Sequence, residues 1–217
     1  MTVREFLKAH NHALDNQARP QMKPELQKIP ASDLPDGFVY NESFLSSAEQ
    51  RELLENIRTL SFQPFDFHGY MAKRRIVEYG FEYDFSTRKA SGAAPLPEFL
   101  HPLRDKAAAF ASVFPEQLVE AVVTEYPSGA PIGWHRDVPQ FEIVIGISLA
   151  SSCRMRFKPY KGAGKIVSIT LEPGSVYVMS KAARWNFQHS IPPVKELRYS
   201  ITFRTLREKK TAEKIRA

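Results

Sequence analysis

The chain has 217 residues, 43% apolar and 25% charged, the proportions of an ordinary globular protein and enough for one well-buried domain. No apolar run is long enough to cross a bilayer, no charged and then apolar leader opens the chain, and its only cysteine, Cys153, excludes an intramolecular disulfide. A cytoplasmic monomer with no membrane partner is expected, and the formal net charge of +6 points either to an anionic partner such as nucleic acid or to nothing specific.

In chain order, residues 1–35 combine a short helical pattern over 3–14 with scattered prolines and read as a surface arm. His10 and His12 would face apart on that helix and read as exposed. Residues 38–40 form a short strand pattern. Ser46 to Glu49 then fits a capping box, and Leu53, Leu54, Ile57 and Leu60 follow at helical spacing, so 47–60 is expected to be an amphipathic helix. The segment 62–85, FQPFDFHGYMAKRRIVEYGFEYDF, is dense in aromatics and carries Lys73, Arg74 and Arg75. On a strand, Arg75, Val77 and Tyr79 share one face and Arg74, Ile76 and Glu78 the other. Such a mixture suits a surface that stacks bases and pairs phosphates; it equally suits a hairpin with core aromatics and a solvated basic turn. Residues 88–96 read as a loop, and 100–114 as a second helix stopped by Pro115.

From Gln117 the pattern changes to short β-branched runs at 119–126, 142–149, 154–158, 165–171, 175–179, 185–189 and 197–206, separated by turn residues and by no helix. This predicts an α+β, mainly β fold: a double-sheet jelly roll of the cupin kind, a double-stranded β-helix, preceded by helices and a β-hairpin. The expected organisation is one domain over 1–217, with an arm (1–35), a helical and hairpin region (36–116), a jelly-roll core (117–207) and a basic tail (208–217).

The chemistry gathers in the strand-rich half. In TEYPSGAPIGWHRD, His135 and Asp137 stand two apart, so an imidazole and a carboxylate project side by side. With His189 from WNFQHSIPP they would complete a 2-His-1-carboxylate triad, which holds iron(II) and leaves one face open. Zinc on the same ligands, with a hydrolase activity, is the alternative, as are two hydrogen-bonded structural histidines. In LRYSITFRTL, Arg198, Ser200, Thr202 and Arg204 share one strand face and Tyr199, Ile201 and Phe203 the other. If the apolar face meets the core, two guanidiniums enter the barrel mouth, suited to a small dicarboxylate such as 2-oxoglutarate or to two internal salt bridges. Tyr126, on the same face as Thr124, can hydrogen-bond that co-substrate or simply pack at a strand end.

Tyr126-x-x-Gly-x-x-Ile-Gly-Trp-His135-x-Asp137, the distant His189 and Arg198-Tyr-Ser-Ile-Thr-Phe-Arg204 together resemble the AlkB family of iron(II)/2-oxoglutarate dioxygenases, over about 124–207. The preceding AKRRIVEYGFEYDF resembles the nucleotide-recognition lid of its nucleic-acid-repair members. The resemblance implies His135, Asp137 and His189 as iron(II) ligands, Arg198 on the distal carboxylate of 2-oxoglutarate, Arg204 near its chelating end, and Tyr126, Thr124 and Ser200 ordering the co-substrate. The family usually has Asn where this chain has Thr124 and Ser200. It further implies Tyr83 and Phe85 stacking on a flipped base, with Lys73, Arg74, Arg75, Tyr79 and Trp134 as other substrate contacts. The activity implied is oxidative dealkylation of bases such as 1-methyladenine, 3-methylcytosine or etheno adducts in DNA or RNA, consuming dioxygen and 2-oxoglutarate and releasing formaldehyde. The competing readings are the same chemistry on a protein, lipid or small molecule, and a non-catalytic nucleic-acid-binding jelly roll.

Overall fold

A computed structural model describes residues 34–67, 70–84, 89–92 and 94–207. The expectations for the helical pattern over 3–14, for His10 and His12, for Phe85 and for the tail from 208 fall outside the described residues, as does the Tyr83 side chain.

Eight strands form the double-sheet core. In chain order they are β6 (Leu118–Tyr126), β7 (Ile132–His135), β8 (Phe141–Leu149), β9 (Cys153–Pro159), β10 (Val167–Leu171), β11 (Val176–Met179), β12 (Phe187–Ile191) and β13 (Arg198–Leu206). They divide between a larger sheet containing β11-β8-β13-β6 and a four-stranded sheet, β10-β9-β12-β7. All these pairings are antiparallel, the two-sheet arrangement of a jelly roll. Earlier strands extend the larger sheet to seven: β1 (Phe38–Asn41) pairs with β11 at one edge, and β3 (Tyr70–Tyr79) and β2 (Gln63–Phe67) follow β6 at the other. Pro64 is tolerated because β2 is the edge strand, and the β2–β3 register shifts just past it.

The two faces of the larger sheet bury different cores. Val123, Ile145, Ile147, Tyr199, Ile201 and Phe203 pack outward against helix α1 (Ser47–Ile57) and helix α2 (His101–Ala111), through Leu53, Ile57, Leu103, Ala107 and Phe110. Tyr126, Val144 and Met179 turn inward to meet Met155, Phe157, Leu171 and Ile191 of the smaller sheet. β6 is therefore buried along nearly its whole length, including Glu120 and Glu125, whose carboxylates are paired with Arg204 and Arg75. At the centre of β8, Gly146 faces the Tyr177 ring, where a Cβ would lie 2.2 Å from Cζ. Among the described residues no helix is long and apolar enough to span a membrane.

Several local expectations are corrected. α1 begins as read, with Ser46 Oγ accepting from the Glu49 amide (3.2 Å) and Glu49 Oε2 accepting from the Ser46 amide (2.7 Å), but it ends at Ile57. α2 is stopped by Ser112 in the left-handed region (φ 54), three residues before Pro115. The region taken as a loop at 88–96 contains β5 (Lys89–Gly92), which pairs with β4 (Phe81–Asp84) as a second hairpin. Between β3 and β4, Gly80 has φ +82 and packs so closely that a Cβ would lie 2.2 Å from the Val119 carbonyl oxygen. A one-turn helix, α3 (Lys181–Trp185), interrupts the strand series, so Trp185 is helical and β12 starts at Phe187. Five residues are too few to show a helical period.

Candidate active site

The inward faces of both sheets and the β2–β3 hairpin enclose a cavity of about 760 Å³. β7 and β12 carry the triad. His135 and His189 sit opposite each other in the antiparallel register, and their ring centroids are 4.2 Å apart. Asp137 follows β7, and one ligand atom from each of His135, Asp137 and His189 falls within 4.8 Å of the others. His135 Nδ1 lies 3.0 Å from the Gly133 carbonyl; an imidazole N–H donates there, which leaves Nε2 for a metal. His189 Nε2 faces Asp137 Oδ2 at 3.6 Å, and that oxygen is buried with no hydrogen-bond partner. Two imidazoles converging on a buried, unsatisfied carboxylate oxygen are a donor set that fits a divalent cation.

Electrostatics keep the set ready to ligate. Burial raises the Asp137 carboxyl, but nearby positive charge, Arg204 first, outweighs it and holds it well below the usual carboxylate range. Burial, helped by His135, pushes His189 down to about 3, so its imidazole is neutral at physiological pH, as a ligand requires.

β13 supplies the cations on the face predicted for it. Arg198, Ser200, Thr202 and Arg204 line the cavity, while Tyr199, Ile201 and Phe203 enter the outer core. The two arginines differ in environment. Arg204 donates to Glu120, its register partner on β6, and at 3.2 Å to Asp137 Oδ1. For this arginine the internal salt-bridge alternative holds. Arg198 is 1% exposed, donates Nε to Ser148 Oγ at 3.1 Å, and lies 4.8 Å over the Tyr126 ring. Its Nη1 has no partner, and among the described residues no carboxylate pairs with it. A buried guanidinium with an unmet donor calls for an anion. Tyr126 OH reaches Ser200 Oγ at 3.4 Å, Thr124 sits opposite Ser200 in register, and all three residues line the cavity with Arg198.

The proposed substrate contacts divide. Arg74, stacked 4.3 Å over Phe65, lines the cavity with Ile76 and Glu78, and Lys73 stands at its edge. Arg75 and Tyr79 lie on the opposite face of β3. Arg75 pairs with Glu125 at 2.6 Å, and Tyr79 is buried in the outer core, so neither reaches the cavity. Trp134 touches the cavity rim, but alternation along β7 turns it outward from His135, under Arg156 (4.9 Å) and Lys158 (4.6 Å).

Three further residues were not singled out from sequence. Glu120 could have been found, because it shares the β6 face of Val122, Thr124 and Tyr126. Ser148 orients Arg198. Arg184 is buried and donates Nη2 to the carbonyls of Val138 (2.6 Å) and Phe141 (2.8 Å), fastening the loop after Asp137. Neither Ser148 nor Arg184 carries a local signal, since both partners arrive through tertiary structure.

The 2OG-Fe(II) oxygenase superfamily matches residues 37–204. The chain is 29% identical over 184 residues to the alkylated DNA repair protein ALKBH8 homolog of Arabidopsis thaliana, covering 72% of this chain and 51% of that protein. It is 28% identical over 182 residues to the tRNA (carboxymethyluridine(34)-5-O)-methyltransferase ALKBH8 of Mus musculus, covering 80% and 27%. The chain thus spans about half or less of the length of these curated relatives. Among solved structures, OsALKBH1 superposes with a TM-score of 0.63 at 17% identity over 79% of this chain and 99% of that one. A Trichoplax adhaerens prolyl hydroxylase, solved with a hypoxia inducible factor peptide fragment, gives 0.58 at 15% identity over 79% and 84%. Both share the fold.

Proposed function

The chain belongs to the 2OG-Fe(II) oxygenase superfamily and is AlkB-like, with Fe(II), 2-oxoglutarate and dioxygen as its cofactor and co-substrates; from that premise we propose that it oxidatively removes alkyl groups from base nitrogens of nucleic acid. His135, Asp137 and His189 hold the iron in this reading. Bound there, Fe(II) supplies the oxidising chemistry, in which one atom of dioxygen enters succinate as 2-oxoglutarate loses carbon dioxide and the other enters a substrate C–H bond. The observation that carries the reading is the pairing, in one cavity, of an unsatisfied Asp137 Oδ2 with an unsatisfied Arg198 Nη1.

Each surrounding residue then has a task. Arg198, fixed by Ser148, pairs with the distal carboxylate of 2-oxoglutarate, and Tyr126, Ser200 and Thr124 order its polar atoms. Arg204 holds Asp137 in its ligating orientation while Glu120 balances its charge. Arg74, Lys73, Phe65 and Ile76 form the wall over which the base sits, the cations on the phosphate side. A base inside a duplex cannot enter, so the substrate nucleotide is single-stranded or flipped out. Hydroxylation of an N-methyl group gives an N-hydroxymethyl base that collapses to formaldehyde and the unmodified base. The names of the plant and mouse relatives, one a DNA repair protein and one acting on tRNA, make both polymers the ones to assay.

The test incubates the protein with Fe(II), ascorbate, 2-oxoglutarate and oligonucleotides of each type bearing one 1-methyladenine, followed by mass spectrometry. Loss of one methylene mass (the N-methyl group becoming N–H) in the wild type and none in His135→Ala is the expected result. Succinate formation with every oligonucleotide unchanged overturns the substrate class and leaves the oxygenase standing.

A further inference from the structure

The outward face of the four-stranded sheet carries no covering layer among the described residues, whereas the larger sheet is covered by α1 and α2. Its composition is one-sided. β7, β9, β10 and β12 contain no Asp or Glu, and residues 153–171, CRMRFKPYKGAGKIVSITL, hold five basic residues and no acidic one. On β9, the buried Cys153, Met155 and Phe157 alternate with Arg154, Arg156 and Lys158 on the outer side. The three cations recur at about 6.7 Å along the strand. Their outward neighbours are Ser168, Thr170, Gln188 and Ser190, and among the described residues none of the three is in a salt bridge. Arg156 is held by Ser190 at 3.0 Å, and Arg156 and Lys158 lie over the Trp134 ring. Beside them Arg136 lies 3.6 Å over Tyr160, which is 45% exposed.

A grid of unpaired cations interleaved with aromatic rings on an otherwise hydroxylated sheet favours a flexible polyanion with stackable rings. Position adds to composition. The sheet's reverse side carries His135 and His189, and β7 is its free edge. Trp134 stands at that edge, touching both the cavity rim and the basic grid. We propose that this outer face is a track for single-stranded nucleic acid, on which the strand flanking the reacting nucleotide rounds the β7 edge and lays its phosphates along Arg154, Arg156 and Lys158. The proposal rests on the nucleic-acid reading above and extends it to a second surface, outside the cavity.

The experiment uses the whole chain, without metal, and a fluorescein-labelled single-stranded oligonucleotide of about 12 nucleotides, long enough for a single site. The oligonucleotide has no modified base, so the cavity contributes little. Anisotropy is recorded across a salt series for wild type, R154E/K158E and R154Q/K158Q, all three leaving the Arg156–Ser190 bond in place, with thermal midpoints as a check on folding. The expected result is at least tenfold weaker binding by both variants. For R154Q/K158Q the salt slope falls by roughly 1.4, the loss of two phosphate contacts on a single strand. Succinate formation from 2-oxoglutarate without substrate stays at the wild-type rate. Wild-type binding that both variants reproduce in affinity and slope overturns the track and leaves the nucleic-acid reading intact. A wild type that binds no polynucleotide overturns both. Binding to phosphatidylserine vesicles that the variants lose, with oligonucleotide binding unchanged, overturns the track by assigning the face to an anionic membrane.

Discussion

At the residue scale, the two arginines of β13 separate by what already satisfies them. Each keeps one buried N–H without a partner, but Arg204 is charge-paired with Glu120 and Asp137, whereas no carboxylate among the described residues pairs with Arg198. Arg198→Met, close in volume and without charge, should raise the KM for 2-oxoglutarate more than tenfold while leaving metal affinity within twofold, measured by succinate formation and by metal titration. Equal loss of both would mean that Arg198 supports the fold rather than the co-substrate. Glu120 is 3% exposed, and its carboxyl is raised by burial against the pull of Arg204. Removing one member of a buried pair strands the other, so Glu120→Ala should cost about 3 kcal/mol of stability in urea unfolding. The alternation of Arg198, Ser200, Thr202 and Arg204 was legible because each second residue of the strand was polar and those between were apolar. The pairing of Arg204 with Glu120 joins positions 84 apart, which no local pattern reveals.

At the element scale, a strand's period of two separates its faces but does not say which one turns inward. That is why β3 was only half readable. Its two face sets were correct, yet both held a cation, and what chose between them was Glu125 on β6, which pairs with Arg75 and draws that face outward with Tyr79. The start of α1 was fully readable, because a capping box is contiguous in sequence. It also gives a pH signature. Lysine and cap bonds, chiefly the one from Lys106 of α2 at 2.6 Å, lower Glu49 from the ordinary carboxyl value of 4.5 to about 2. A depressed carboxyl stabilises the fold above the unfolded value and ceases to do so as pH falls through the folded one. The thermal midpoint of wild type should therefore exceed that of Glu49→Gln at neutral pH, and the gap should close between about pH 4.5 and 2. Solvent exposure keeps the gap small. A gap that widens on acidification would contradict the assignment.

At the scale of the molecule, the jelly roll brings together residues from β6, β7, β12 and β13 that are far apart in the chain, and a distant motif set was enough to foresee it. His135 and His189 meet because β7 and β12 are neighbours in one sheet, and Arg198 faces them from the other. The same architecture hid the reverse side of the smaller sheet, since Trp134 was read with its neighbour His135 although alternation sends the two to opposite faces. Metal and 2-oxoglutarate bind only the folded cavity in this account, so at a hundred times their dissociation constants each should add about 2.7 kcal/mol to stability. The most direct test of the central claim is the stoichiometry of the coupled reaction. Succinate, formaldehyde and unmodified base are quantified together from an oligonucleotide carrying 1-methyladenine, in DNA and in RNA. The account predicts substrate-stimulated succinate in a one-to-one-to-one ratio with the other two products on at least one polymer. Succinate that forms at the same rate with and without every alkylated oligonucleotide, with no formaldehyde, would contradict it.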